Sequence, residues 1–277
     1  MTLRFAFNTN GMANHRLDDA LGLIADCGYD GVAVTLDIHH LDPFDPAFPA
    51  NMRVFARRLR TLGLGCVVET GARFLLNPRA KHEPTLLSAD PDGRALRIEF
   101  LDRAMQVVAE TQGEAMSFWA GAAKPGVDAI QAHEWLRAGI RAVVERARTL
   151  GVHAALEPEP GMLIETLDDF VAVDMPGLRL ALDTGHCLVT GERDPAAAVL
   201  EFAGRIGTVT IEDMKRGEHI HLPFGEGDMD IPAVLRALIQ IGFGGLVCVE
   251  LSRESHRADV VVPAALKFLK KAGAEAA

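Results

Sequence analysis

Short apolar runs alternate with longer amphipathic stretches along the whole chain. The runs lack the polar and apolar alternation of a half-exposed strand, as is typical of strands buried on both faces of a parallel sheet. They predict eight strands, at residues 3–8, 31–36, 65–69, 115–119, 152–157, 178–183, 207–212 and 246–251. The stretches between them have helical periodicity and predict helices at 16–27, 49–62, 95–111, 127–150, 166–173, 195–202, 231–241 and 259–272. Glycines expected to end helices precede several strands, at Gly28, Gly63, Gly113, Gly151 and Gly242.

This order of elements favours the α/β class and a single (β/α)8 TIM barrel over residues 1–277. An open doubly wound sheet usually has a glycine-rich phosphate turn after its first strand, whereas this chain has Asn8-Thr9-Asn10-Gly11 there. No linker or low-complexity tract marks a domain boundary. The longest irregular insert, residues 77–93, is expected to form a lid over the barrel mouth.

Charge and composition narrow the classes of function. The chain has 28 Lys and Arg against 38 Asp and Glu, a formal net charge of −10, which disfavours general binding to nucleic acid. No apolar run approaches the length of a membrane span, so we expect no membrane partner. The amino terminus lacks the pattern of a signal peptide, so we expect a cytoplasmic location. The sequence leaves open whether the chain forms a homo-oligomer.

Acidic side chains end four of the later predicted strands. Glu157 ends the fifth strand, Asp183 the sixth and Glu212 the seventh, and Glu250 lies in the last residues of the eighth. Active sites of such barrels lie at the carboxyl ends of the strands. Any one of these carboxylates could cap a helix or pair with an arginine. Four that converge in a poorly hydrated site repel one another, and a divalent cation is the common way of holding them together.

Three histidines lie near these strand ends. His186 follows Asp183 by three residues, and His219 and His221 form a His-x-His pair after the seventh strand. In an extended segment such a pair places both imidazoles on one side, where a metal or an anionic oxygen can use them. The pair is a weak signal alone, and the neighbouring Asp-x-x-His strengthens it.

These segments resemble the xylose-isomerase-like TIM-barrel superfamily, which includes sugar epimerases, hydroxypyruvate isomerases, inosose dehydratases and metal-dependent apurinic endonucleases. The matching segments are Leu-Glu157, Leu-Asp183-Thr-Gly-His186, His219-Ile-His221-Leu-Pro-Phe-Gly-Glu-Gly227 and Val-Glu250-Leu. For the isomerases, the resemblance implies one Mn, Zn, Mg or Co ion bound by Glu, Asp, His and Glu from strands five to eight. It also implies that the two glutamates move protons, so Glu157 and Glu250 are the expected catalytic residues.

The chain departs from the family pattern on the seventh strand, where Thr210 stands at the position of the expected histidine. Glu212 points to the same face of the strand and could substitute, or His221 could approach from the loop. The candidate metal ligands are therefore Glu157, Asp183, His186, His219, His221 and Glu250.

The endonuclease branch fits poorly. The histidines that complete its three-metal cluster on strands three and four are absent, since Glu69 and Ser117 fall in those segments. Trp119 could instead form an apolar wall for a sugar ring, or be a core aromatic residue. Arg253, three residues past Glu250, could bind hydroxyls or a phosphate. The candidate substrate contacts are thus Trp119, Glu212 and Arg253.

The sequence therefore predicts a divalent-metal-dependent isomerase or epimerase of a small sugar or polyhydroxy carbonyl compound, acting by proton transfer through an enediolate. A lyase or dehydratase acting on a similar keto-sugar or inosose would use the same enediolate. A non-catalytic sugar-binding barrel is a third hypothesis, motivated by Thr210 in place of the family histidine.

Overall fold

The eight apolar runs form parallel strands that close into a barrel in a computed structural model, which describes residues 2–276. The strands of the barrel are β1 (Arg4–Asn8), β2 (Gly31–Thr35), β3 (Gly65–Glu69), β4 (Met116–Trp119), β5 (Ala154–Glu157), β6 (Arg179–Asp183), β7 (Ile206–Ile211) and β10 (Leu246–Val249). Two further strands, β8 (Asp213–Lys215) and β9 (Glu218–Leu222), form an antiparallel hairpin after β7. Pairing of β1 with β10 closes the barrel, with Phe7 opposite Val249. The predicted (β/α)8 TIM barrel is confirmed.

The described residues contain nine α-helices, of which the sequence predicted all but the short α6. They are α1 (Leu17–Cys27), α2 (Phe48–Leu62), α3 (Pro91–Thr111), α4 (Ala129–Leu150), α5 (Leu167–Val173), α6 (Thr184–Thr190), α7 (Pro195–Glu201), α8 (Ile231–Gln240) and α9 (Ala258–Ala276). No helix among residues 2–276 has both the length and the apolar character that crossing a membrane requires.

Helix ends explain where the chain turns back into the barrel. Gly28 ends α1 with φ of 87°, a left-handed conformation that glycine adopts without steric cost, and its N–H bonds to carbonyls of the last turn. The expectation for Gly113 is wrong in detail. Gln112 is the residue in the left-handed conformation after α3, with φ of 54°.

The amino-terminal end of the barrel is filled by side chains. A cluster of fully buried residues occupies the interior, namely Ala6, Ala33, Val67, Leu246 and Cys248. A Cβ on Gly31 would lie 2.5 Å from Leu246 Cδ1, so glycine there leaves room for the leucine. Because this end is plugged, the space available to a ligand lies at the carboxyl ends of the strands.

Candidate active site

A cavity of about 510 Å³ lies at the carboxyl ends of the barrel strands. Eight of the nine predicted site residues line it, namely Trp119, Glu157, Asp183, His186, His219, His221, Glu250 and Arg253. Lys81 and His82 line it too, so part of the insert predicted as a lid reaches the mouth. Glu212 is the exception, because it has no exposed surface and lies behind the wall of the cavity.

Glu157 and Glu250 face the cavity from strands that are separated by β6 and β7. Ser117 Oγ donates a hydrogen bond of 3.2 Å to Glu157 Oε2. Asn10 Nδ2 donates one of 2.7 Å to Glu250 Oε1. Among residues 2–276, the only cationic side chains within 4.0 Å of these two carboxylates are histidines. The two glutamates are therefore held separately, and each leaves carboxylate surface facing the cavity.

Asp183 links the end of β6 to the helix that follows it. Its Oδ1 accepts hydrogen bonds from the backbone N–H groups of Gly185 (2.8 Å) and His186 (3.0 Å), and so caps the N-terminus of α6. Its Oδ2 is buried without a hydrogen-bond partner and lies 3.4 Å from His186 Nε2. The cap fixes the orientation of the carboxylate and leaves one oxygen available for a ligand.

The three predicted histidines form one cluster. His186 Nδ1 lies 2.9 Å from the carbonyl oxygen of Pro158, to which it donates as the Nδ1–H tautomer, so Nε2 is directed at His219 Nε2, 3.1 Å away. The ring centroids of His219 and His221 are 5.5 Å apart. These two histidines lie on β9, two residues apart, so the hairpin carries both imidazoles to the cavity.

His221 occupies a special place, because it lies between two carboxylates. Its Nδ1 is 3.9 Å from Glu212 Oε2 and its Nε2 is 3.8 Å from Glu250 Oε1. Thr210, where the family histidine was expected, pairs in register with Asp183 on the neighbouring strand. The sequence offered Glu212 and His221 as alternative replacements for this histidine. In the structure the two side chains lie next to each other and close to Asp183.

Three contributing residues were not among the predicted site residues. Glu69 lines the cavity from β3 and has a buried oxygen without a partner, and its position at a strand end was the available signal. Glu159 lies 3.8 Å from both His186 and His219, two residues beyond the predicted Glu157. Asn10 had no signal, because its partner is 240 residues away.

The electrostatics show a surplus of negative charge. Burial, reinforced by neighbouring carboxylates, raises the pKa of Glu157 well above its ordinary value. The same causes raise the pKa of Glu69 to about 8 and that of Glu212 to about 8. Buried carboxylates that repel one another in this way are stabilised by protons or by a cation.

The pKa values of two histidines in the cluster are shifted in opposite directions. Burial would lower the pKa of His221, but Glu250 and Glu212 outweigh burial and raise it to about 10. Burial and the neighbouring His186 lower the pKa of His219 to about 4. The cluster therefore combines His221, whose raised pKa favours the protonated imidazolium, with His219, whose lowered pKa favours the neutral imidazole with an unprotonated ring nitrogen.

Trp119 is both a core residue and part of the cavity wall. The guanidinium of the fully buried Arg97 lies 4.2 Å from the centroid of its ring, and His82 contacts it edge-on at 5.6 Å. Only 6% of Trp119 is exposed, and that part lines the cavity. Phe118, its neighbour in the sequence, is wholly buried in the core.

The protein is thus a closed (β/α)8 barrel, and the carboxylates and histidines at its mouth lie close enough together that they could hold a metal ion. The sequence matches the family described as xylose isomerase-like TIM barrel over residues 21–272, and the chain belongs to that family. No curated protein sequence matches it significantly.

Solved structures of similar fold include several sugar epimerases. An L-ribulose 3-epimerase has 20% identity and a TM-score of 0.77, with 99% of this chain and 96% of that chain covered. The 3-keto-D-glucoside 4-epimerase YcjR from E. coli has 16% identity and a TM-score of 0.78, with 98% and 100% covered. The IolI protein with a bound zinc atom has 18% identity and a TM-score of 0.73, with 99% and 98% covered. These similarities extend over nearly the whole chain and concern the fold.

Proposed function

We propose that this protein is a divalent-metal-dependent isomerase or epimerase of a small sugar or related polyhydroxy carbonyl compound. The observation that carries the proposal is the pair Glu157 and Glu250, which face one cavity from two separated strands with independent hydrogen-bond donors. Two carboxylates on different sides of a substrate can remove a proton from one face and return it to another.

In this reaction one glutamate takes a proton from the carbon next to the carbonyl group, and the electron pair moves onto the carbonyl oxygen. The other glutamate then gives a proton to the reacting carbons. Glu157, whose pKa is raised by burial, suits the group that holds a proton, while Asn10 keeps Glu250 oriented. Trp119 and Arg253 would contact the substrate at the wall and the mouth.

The residues present fit a divalent cation. Several buried oxygen and nitrogen atoms that could coordinate a metal have no hydrogen-bond partner, namely Asp183 Oδ2, Glu69 Oε1, both oxygens of Glu212 and His221 Nδ1. Carboxylate oxygens and imidazole nitrogens are ligands for Mn, Zn, Mg or Co. The candidate ligands are Glu157, Asp183, His186, His219, His221 and Glu250. When bound, the cation supplies Lewis-acid stabilisation of negative charge that develops on the substrate.

Structures of similar fold support the substrate class. They include the epimerases named above and a D-allulose 3-epimerase from Methylomonas sp. in complex with D-allulose, with 20% identity, a TM-score of 0.73 and 97% of this chain and 96% of that chain covered. The names of these epimerases refer to ketoses and to a keto-glycoside. The same classes form the first choice of test compounds for this protein.

The test is solvent deuterium uptake by ketoses, inososes and keto-glycosides in D2O, followed by NMR with added Mn²⁺. We expect uptake at a carbon next to the carbonyl group with an isomerised or epimerised product. Glu157→Gln and Glu250→Gln should each lower the rate by about 100-fold or more, in line with general acid-base contributions.

Glu145→Gln on the exposed face of α4 is the matched control and should keep the wild-type rate. Loss of water from the substrate would identify the lyase alternative. Absence of uptake with every compound class would favour the non-catalytic sugar-binding barrel. Uptake that survives both active-site substitutions at the wild-type rate would contradict the roles given to the two glutamates.

A further inference from the structure

Three neighbouring residues of the described chain carry buried side-chain atoms that make no hydrogen bond. Glu212 has no exposed surface, and neither of its carboxylate oxygens accepts a hydrogen bond. Asp183 Oδ2 and His221 Nδ1 are also buried without a partner. Asp183, Glu212 and His221 offer ligand atoms that all lie within 4.8 Å of one another. Burying these groups unpaired is costly, so their convergence calls for an explanation.

The spacing suits ligands better than hydrogen bonds. His221 Nδ1 and Glu212 Oε2 are 3.9 Å apart, beyond the 2.7–3.2 Å range of an N–H···O bond. Two ligand atoms at 2.1 Å from a tetrahedral ion are about 3.4 Å apart, so a modest approach would bring this pair to coordination spacing. Two carboxylates and one neutral imidazole also balance the charge of a divalent cation.

Glycine at position 185 makes room for this arrangement. A Cβ added there would collide with Glu212 Oε1, so any other residue would displace that carboxylate. Two other groups of three residues bring ligand atoms within 4.8 Å of one another, namely Glu159 with His186 and His219, and Glu157 with Asp183 and His186. Both depend on His186, whose ring nitrogens are already engaged, because Nδ1 lies 2.9 Å from the carbonyl oxygen of Pro158 and Nε2 lies 3.1 Å from His219 Nε2.

We infer that Asp183, Glu212 and His221 are the principal ligands of the cation, with Glu212 and His221 together replacing the missing strand-seven histidine. This assignment rests on the proposed function and changes the role of Glu212. A residue walled off from the cavity binds the ion rather than the substrate. Asp183 and His221 line the cavity, so a cation held between them is accessible from it.

The test measures cation binding and not activity. Chelator-treated protein is titrated with Zn²⁺ and Mn²⁺, and bound metal is counted by elemental analysis after dialysis. Wild type should retain one ion, and Glu212→Gln and His221→Gln should each weaken affinity by at least about 100-fold. Glu145→Gln, which removes one carboxylate charge on the exposed face of α4 and outside the cavity, should retain affinity within about threefold. Circular dichroism checks that each variant is folded.

A second measurement needs no ligand substitution in the observed protein. In wild type labelled with ¹⁵N-histidine, Zn²⁺ should shift the Nδ1 resonance of His221 and leave the ring resonances of His186 and His219 in place. The signals are assigned from single histidine variants. A shift confined to His186 and His219 would overturn the inference.

The ligand assignment and the metal-dependent function can fail separately. If wild type binds one ion and Glu212→Gln binds it equally well, the ligand assignment is wrong and the metal-dependent enzyme stands. If wild type binds no ion but still catalyses deuterium uptake, both the ligand assignment and the metal dependence are wrong.

Discussion

Glu212 and Asp213 follow one another after β7, yet their carboxylates lie in two different environments. Asp213, at the base of the β8–β9 hairpin, accepts backbone hydrogen bonds from Gly225 (2.8 Å) and Met229 (3.1 Å). Glu212, behind the cavity wall, accepts none. Both side chains are buried. Burial alone therefore does not distinguish the two carboxylates, whereas the hydrogen-bond partners of their oxygens do.

The largest expected effect is thermal stabilisation by a divalent cation. An ion bound only by the folded state stabilises it by about 2.7 kcal/mol at 100 times its dissociation constant. We expect Mn²⁺ to raise the melting temperature of wild type and of Asp213→Asn, and to leave that of Glu212→Gln unchanged. Melting followed by circular dichroism with and without Mn²⁺ measures this. An equal rise in Glu212→Gln would erase the distinction between the two carboxylates.

Removing the structural carboxylate should have the next largest effect. Asp213→Ala leaves the amides of Gly225 and Met229 without their acceptor, and we expect the free energy of unfolding to fall by about 2 kcal/mol. Urea denaturation of the cation-free protein measures it. Asp228→Ala is the control, because Asp228 is exposed and accepts one backbone bond from Arg216. A loss no greater than in the control would mean that the hairpin does not depend on Asp213.

The folding stability of the cation-free protein should depend on pH through Glu69, Glu212 and His221, each of which has a buried atom without a hydrogen bond. The folded-state pKa of Glu212 and of Glu69 is about 8, above their ordinary 4.5, and that of His221 is about 10, above 6.5. The folded state thus holds more protons than the unfolded state between pH 6.5 and 8, so stability falls as pH rises through this window. The melting temperature should fall less steeply in Glu212→Gln. A rise over the same window in wild type would contradict these shifts.

The smallest expected effect is that of Glu212→Gln on the cation-free protein. The substitution keeps the shape of the side chain and removes repulsion with Asp183, so the free energy of unfolding should rise by no more than about 1 kcal/mol. Urea denaturation at pH 9, above the pKa of about 8 of Glu212, is the measurement, because the carboxylate is mostly ionised there. A loss as large as that of Asp213→Ala would show that Glu212 has a structural role.

The barrel could be predicted because its strands are continuous apolar runs and its helices have clear ends. Helix α6 was missed because it begins directly at the end of β6 with no loop between them, and because its sequence TGHCLVT contains a glycine and three β-branched residues, which are poor helix formers. The β8–β9 hairpin was missed because residues 213–222 are mostly polar, and their one alternating stretch, residues 219–222, is only four residues long.

The candidate site was predictable as far as it depends on strand ends. Parallel strands of a barrel bring their last residues to one rim, which is why Glu157, Asp183 and Glu250 were expected to meet. The choice between Glu212 and His221 as replacement for a histidine depends on how the hairpin folds back over the rim. That is a tertiary contact, and a local pattern carries no information about it.

We propose that the carboxylates and histidines of this cavity hold a divalent cation for proton transfer on a sugar-like substrate. The most direct test is deuterium uptake from D2O into a ketose or keto-glycoside, measured by NMR with chelator-treated protein before and after addition of one equivalent of Mn²⁺. We predict negligible uptake before addition and uptake next to the carbonyl group after it. Equal uptake with and without the cation would contradict the claim.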